Sequence, residues 1–505
     1  MRLELRVVVA IVLLLVGGLP AHPAETEQRA APSGGVLSLL PPPQTTDHTI
    51  AIGPRTLAYQ ATAGTLSLLS GNGEVSAEVF YVAYALRQEN AATGASQRPI
   101  TFVFNGGPGA ASAYLHLGAL GPRVIRTAAE GEFLSPPQEL MDNPDTWLDM
   151  TDLVFVDPVG TGYSREAPGE KTSSFWGVNQ DAAMMGAFIR LYLAQAGRLA
   201  SPVFLAGESY GGFRAALLAK TLQEDVGISP SGVVLISPAL EFMLVHPDEF
   251  DPLHWALELP SLAAVRLNSE GVTGPALQAQ LSEIERYALG EYLVAVTSGL
   301  ERGGDLASER VAAITGLPLD LVQRNFARIP TSLFAKEFAR AKGKTLSPYD
   351  GTIEAPDIAP HSARLSSPDP VLDRSVPVLT SAFVDYVRDE LNFHTKISYR
   401  LLNREVSRSW DYGTSPSRQG YAGVMDDLQR ARALNPSLKV LIINGYTDLV
   451  TPYMTSRYLV QQVPSLAGVN TIRTTVLEGG HMMYLRPDSR KALKEAATEL
   501  YQATE

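Results

Sequence analysis

Val203-Phe204-Leu205-Ala206-Gly207-Glu208-Ser209-Tyr210-Gly211 carries an apolar run into a sharp Gly-x-Ser-x-Gly turn, and Arg214 to Leu222 beyond it has helical character. The stretch reads as strand, turn and helix, with Ser209 at the turn. Glycines two residues before and two after the serine allow close backbone approach, so the hydroxyl stands above the edge of the sheet. The plainer alternative is an ordinary serine in a tight turn. A serine hydroxyl attacks at neutral pH only if a base takes its proton and a carboxylate orients that base. The rest of the chain must supply both.

In chains built on such an elbow the acid and then the histidine follow the serine. Eight histidines occur, and the last is His481, in Leu477-Glu478-Gly479-Gly480-His481-Met482. It comes directly after the apolar, β-branched segment Thr474 to Leu477, which places it on a loop past a strand. Upstream, Val440-Leu441-Ile442-Ile443 reads as a fully buried parallel strand, and Asn444-Gly445-Tyr446-Thr447-Asp448 opens into a loop at its carboxyl end. Asp448 is therefore the expected orienting acid. A third strand, Ile100-Thr101-Phe102-Val103-Phe104, runs into Asn105-Gly106-Gly107-Pro108-Gly109, where small residues let amides face a ligand. The Gly107 and Tyr210 N–H groups are assigned as the pair that would hold an oxyanion.

Six short blocks occur in one order: Asn105 to Gly109, Leu120-Gly121-Pro122, Asp157-Pro158-Val159-Gly160-Thr161-Gly162-Tyr163-Ser164, Gly207 to Gly211, Gly445 to Asp448, and Gly480-His481-Met482. From about residue 100 onward, this order and spacing resemble the serine carboxypeptidase family. The resemblance implies an α/β-hydrolase fold, with a central, mostly parallel sheet flanked by helices. It implies the triad Ser209, Asp448 and His481 and removal of residues from the carboxyl end of peptides. It also implies that Asn105 and Glu208 hold the substrate's free carboxylate through hydrogen bonds. Two carboxylates about 3 Å apart repel by roughly 5 kcal/mol at an effective dielectric near 20, so such a pair should retain one proton and favour acidic pH.

Departures from the family pattern bear on specificity. The family's tryptophan two residues before the asparagine is Val103, its glutamate ahead of Leu-Gly-Pro is Ala119, and its proline past the histidine is Tyr484. The cysteine after Asn-Gly-Gly-Pro-Gly is Ala110; the chain has no cysteine, so the disulfides of eukaryotic members cannot form. These changes spare the triad but remove half of the usual carboxylate network. Esters or amides are the competing substrates.

The chain has 505 residues, 45% of them hydrophobic, which is enough for a large core. A net charge of −12 disfavours nucleic acid, whose phosphates would be repelled. At the N-terminus, Arg2 and Arg6 precede an apolar stretch from Val7 to Val16, followed by Gly17-Gly18, Pro20 and the small residues Ala21 and Ala24. This is a secretory signal layout, with cleavage after Ala21 or Ala24 and an uncleaved anchor as the alternative. The apolar stretch is short beside the roughly 20 residues of a spanning helix. Export without disulfides points to a bacterial envelope or secreted protein, with no stable membrane insertion after cleavage.

Residues 25–45 are rich in Ala, Pro, Ser and Gly and are expected to form a flexible linker. The core is expected over 46–240 and 374–505. Thr56 to Gln60, Thr65 to Leu69 and Glu78 to Ala83, with the turn Ser70-Gly71-Asn72-Gly73, read as antiparallel strands on one flank. The long separation between Ser209 and Asp448 calls for an insertion, and helical spacing at Leu277, Leu281, Ile284, Ala288 and Tyr292 makes it a mainly helical cap over 241–373.

His116 reads as a packing residue. His246 and His254 lack zinc-site spacing, and Gly160-Thr161-Gly162 lacks the spacing of a nucleotide loop, so neither a metal nor a cofactor is expected. The favoured reading is a serine-type carboxypeptidase working on peptides through an acyl-enzyme. An esterase or acyltransferase on the same triad, and a catalytically silent binding protein of the same fold, are the alternatives.

Overall fold

The computed structural model describes residues 35–87, 98–246, 248, 250–413 and 422–502. The signal layout at 1–24 and most of the linker lie outside the described residues. The end of the expected linker is built differently. Gly35–Leu39 forms a 3-10 turn and a strand begins at Gln44. Leu37 and Leu40 are buried in the core, which gives this Pro-rich segment the apolar anchors that a flexible linker lacks.

Fourteen strands follow in the chain. Gln44–Ile52 (β1), Arg55–Leu69 (β2) and Val75–Leu86 (β3) pair antiparallel in sequence. Ile100–Phe104 (β4) precedes a small hairpin of Arg123–Ile125 (β5) and Leu140–Asp142 (β6). Asp152–Val156 (β7), Arg165–Glu166 (β8), Val203–Glu208 (β9) and Gly232–Ile236 (β10) come next. A second hairpin, Lys344–Leu346 (β11) with Glu354–Pro356 (β12), precedes Lys439–Gly445 (β13) and Ile472–Leu477 (β14). The main sheet has the order β1-β2-β3-β7-β4-β9-β10-β13-β14, with β8 on β3. Strands β7, β4, β9, β10, β13 and β14 are mutually parallel. This is an α/β-hydrolase fold with a mainly helical insertion between β10 and β13.

The central strands read as unbroken apolar runs because both faces are covered. Side chains alternate across the sheet. Phe102, Leu205, Val233 and Ile442 enter one apolar cluster, while Val103, Phe204, Val234 and Leu441 enter the other. Helices Val178–Gln195 and Tyr210–Thr221 cover the first face. Helices Leu372–Asp389 and Pro487–Gln502 cover the second.

Parallel strands align their carboxyl ends at one edge, where loops converge and ligands bind in open α/β sheets. Asn105 follows β4, Ser209 follows β9, Ser237 follows β10, Asp448 lies in the turn after β13, and His481 in the turn after β14. The insertion also leaves from this edge. It begins with the helices Phe242–Val245 and Pro252–Ser269, and its last elements are the β11–β12 hairpin and the start of Leu372–Asp389. No helix among the described residues is long and apolar enough to cross a membrane.

Candidate active site

Ser209 joins β9 to the helix Tyr210–Thr221 with φ 58° and ψ −124°, a strained backbone for a residue with a side chain. Surrounding contacts hold it there. Its N–H donates to Ile236 O at 3.0 Å, and its carbonyl accepts from Gly212, Phe213 and Ala239. A Cβ on Gly207 would fall 1.9 Å from Gly211 O, and one on Gly106 would fall 2.5 Å from Tyr210 N. The elbow closes on itself and against the β4 loop only because both positions lack a side chain.

Asp448 is fully buried, and its Oδ2 lies 2.8 Å from His481 Nδ1. The Asp448 carboxylate is fixed from its own turn. Oδ1 accepts the Val450 and Thr451 amides at 2.8 and 2.9 Å, and Oδ2 accepts the Thr451 hydroxyl at 2.7 Å. That hydroxyl also sits 3.1 Å from His481 Nδ1, and the Ser237 hydroxyl donates to His481 O at 2.9 Å. Burial alone would lower the His481 pKa, but the Asp448 carboxylate at its Nδ1 and the nearby Glu208 outweigh it, so the pKa is raised.

Ser209 and His481 line one cavity of about 190 Å³ together with Asn105, Gly107, Glu208 and Tyr210. Asp448 stands behind His481. The Ser209 hydroxyl closes no hydrogen bond onto a described side chain, and neither does His481 Nε2; such bonds are often open before substrate arrives. The Gly107 and Tyr210 amides donate to no described residue. Tyr210 is the first residue of its helix, where an amide has no partner within the helix.

Glu208 is buried, and its Oε2 accepts from the Asn105 side-chain amide and from the Tyr484 hydroxyl, the latter at 2.8 Å. Burial pushes its carboxyl pKa up to about 7, against the opposing pull of His481 and of the Tyr484 hydroxyl. Asn105 is pinned in turn: its Oδ1 accepts from Leu115 N at 3.0 Å and its carbonyl from Arg214 Nη1 at 2.7 Å. The two departures read from the sequence do not face the cavity, because Val103 and Ala119 pack in the core. The remaining wall is apolar, with Ala239, Phe242, Val245, Leu402, Val450 and Met482, and no Lys or Arg lines it. Among the described residues no group of three or more His, Asp or Glu could hold a metal ion.

Several residues of the site escape a sequence reading. Tyr349 O accepts the His481 amide at 2.6 Å, and its ring stands edge-on to the imidazole, 5.3 Å between centres. Asp350 accepts the Thr447 hydroxyl at 2.7 Å and the Gly480 amide at 3.1 Å, and it pairs with Arg486 at 3.3 Å. The loop between β11 and β12 therefore grips both the acid turn and the histidine turn. No local period marks it. Thr451 did leave a signal: a threonine three residues after an aspartate, past a strand, is placed to return its hydroxyl to that carboxylate. His116, read as packing, is fully buried, stacked on Phe155 at 4.0 Å and bonded to the Tyr84 hydroxyl at 2.7 Å.

Similarity to known proteins is concentrated in the first part of the core. The pheromone-processing carboxypeptidases KEX1 of Komagataella phaffii and of Komagataella pastoris are each 32% identical to this chain over 128 residues. That is 25% of this chain and only 18% of either relative. Among solved structures, VinJ aligns over 88% of this chain and 99% of its own at 13% identity and a TM-score of 0.37. A carboxyl esterase from Bacillus coagulans aligns over 87% and 99%, at 14% identity and a TM-score of 0.36. Residues 60–229, which carry the β4 loop and the Ser209 elbow but neither Asp448 nor His481, match the serine carboxypeptidase family.

Proposed function

We propose that this chain is a serine hydrolase that cleaves acyl bonds through an acyl-enzyme on Ser209. The observation that carries this reading is the His481–Asp448 bond of 2.8 Å behind a cavity that Ser209 shares with two undonated backbone amides. In the proposed reaction His481 Nε2 takes the Ser209 proton as the hydroxyl attacks the acyl carbonyl. The Gly107 and Tyr210 amides hold the resulting oxyanion, a contribution of roughly 3 kcal/mol for one such donor. His481 then protonates the leaving group, and water, activated by the same imidazole, releases the acyl group. A fluorophosphonate probe tests this directly. The wild-type chain should be labelled and Ser209→Ala should not; labelling that survives the substitution rules Ser209 out.

The substrate reading is narrower. The family match over 60–229 and the Asn105–Glu208 pair support a carboxypeptidase acting on the free carboxyl end of peptides. The largely apolar wall without Lys or Arg supports an esterase or acyltransferase on the same triad. A blocked dipeptide compared with its C-terminal amide and its ester separates them, because equal turnover of acid and amide removes the carboxypeptidase reading. The leader supports export to a bacterial envelope or beyond, and the helical cap is proposed to span 241–373. Sequencing the N-terminus of the exported chain tests the first.

A further inference from the structure

We propose that Tyr484 is a positioning residue for substrate recognition: with Asn105 it occupies Glu208 Oε2 and leaves Oε1 as the oxygen that meets the substrate. The inference rests on the serine hydrolase reading and deepens it. Asn105 and Tyr484 both donate to the same oxygen, Oε2. Oε1 accepts from no described residue, and the side chain lines the cavity. Neither donor is free to move. Asn105 is held by Leu115 N and by Arg214, and Arg214 by the buried Asp181 at 2.6 Å. The Tyr484 ring is fully buried on the 3-10 turn Met483–Leu485, immediately after His481. It lies so close over Gly118 that a Cβ there would come 2.6 Å from Cε2.

A carboxyl oxygen offers two lone-pair directions, and both of those on Oε2 are spent. When Glu208 is protonated the proton therefore sits on Oε1 and can be donated into the cavity. The partner is then an acceptor, such as a carboxylate or carbonyl oxygen of the substrate. When Glu208 is ionised, Oε1 accepts only and repels a substrate carboxylate. The titratable groups around this point are His481 and Asp448 from the strand-end turns, Tyr484, Tyr114 and Tyr349. Because Tyr484 shares the turn of His481, recognition and proton transfer are kept in register by one short piece of chain.

The test is Tyr484→Phe in the full chain, which keeps the ring and removes the donor. Turnover of a blocked dipeptide and of its amide is measured against pH. The proposal expects the acid-to-amide ratio of kcat/KM to fall about tenfold, mainly through KM for the acid. It also expects the alkaline limb for the acid to move upward, because ionised Glu208 has lost a donor. Should Tyr484→Phe fail to fold, Gly118→Ala, which displaces the ring, should change the ratio in the same direction. A variant that folds with the wild-type ratio and limb overturns the proposal, as does a wild type that treats acid and amide alike. Absence of fluorophosphonate labelling at Ser209 in the wild type would instead overturn the hydrolase reading on which the proposal rests.

Discussion

Glu208 and His481 titrate in opposite senses for a free-acid substrate. His481 serves as base only when neutral, and its raised pKa delays that state to a pH above the ordinary imidazole range. Glu208 can donate to a carboxylate only while protonated, below about 7. For the blocked dipeptide, kcat/KM should therefore rise through the His481 pKa and fall through that of Glu208. The result is a narrow bell near neutrality rather than the acidic optimum expected from the carboxylate pair alone. The amide or ester should follow the rising limb only. Identical profiles for acid and amide, measured across about pH 4 to pH 9, would remove Glu208 from substrate recognition. At this scale the sequence is informative where chemistry and backbone geometry coincide. Ser209, Asp448 and His481 could be singled out because each follows an apolar strand. The contact of Tyr484 with Glu208 could not, since it joins residues far apart in sequence through a ring packed over Gly118.

Between elements, two buried ion pairs fix the elbow and the loops. Arg214, on the helix after Ser209, is paired with Asp181 on helix Val178–Gln195, and both side chains are almost fully buried. Removing one member of such a pair leaves an uncompensated charge and costs about 3–5 kcal/mol. Arg214→Met should lower stability by that amount in denaturant or thermal unfolding, and should loosen Asn105 through the lost bond to its carbonyl. A loss below about 1 kcal/mol would contradict the assignment. Asp350 acts at the opposite side of the cavity. Asp350→Asn keeps the size but weakens the link to Arg486, Thr447 and Gly480, so the acid and histidine turns should drift apart. Misplacement by about 1 Å can cost about 10²-fold in rate. The expected result is a fall in kcat of that order with KM little changed; unchanged kcat would show that the turns hold each other without the loop. Strand and helix patterns announce their periods in the sequence, whereas this loop is defined by tertiary hydrogen bonds that carry no period.

The whole molecule is ordered by one parallel edge. Two apolar faces bury the central strands, and every candidate site residue leaves the sheet at its carboxyl side or from the insertion that rises there. That architecture was legible: unbroken apolar strands, the elbow and the helical spacing of the insertion all point to it. The ordered start at Gly35–Leu39 was not, because composition alone does not reveal that Leu37 and Leu40 have a core to enter. The grip of Tyr349 and Asp350 has a practical corollary for engineering. Exchanging the helical insertion for that of another hydrolase, in order to change what the enzyme accepts, would also strip out the peg that aligns its proton relay. A graft that stops short of Lys344 and resumes after Pro356 would retain that peg, so the seams of any chimera belong there.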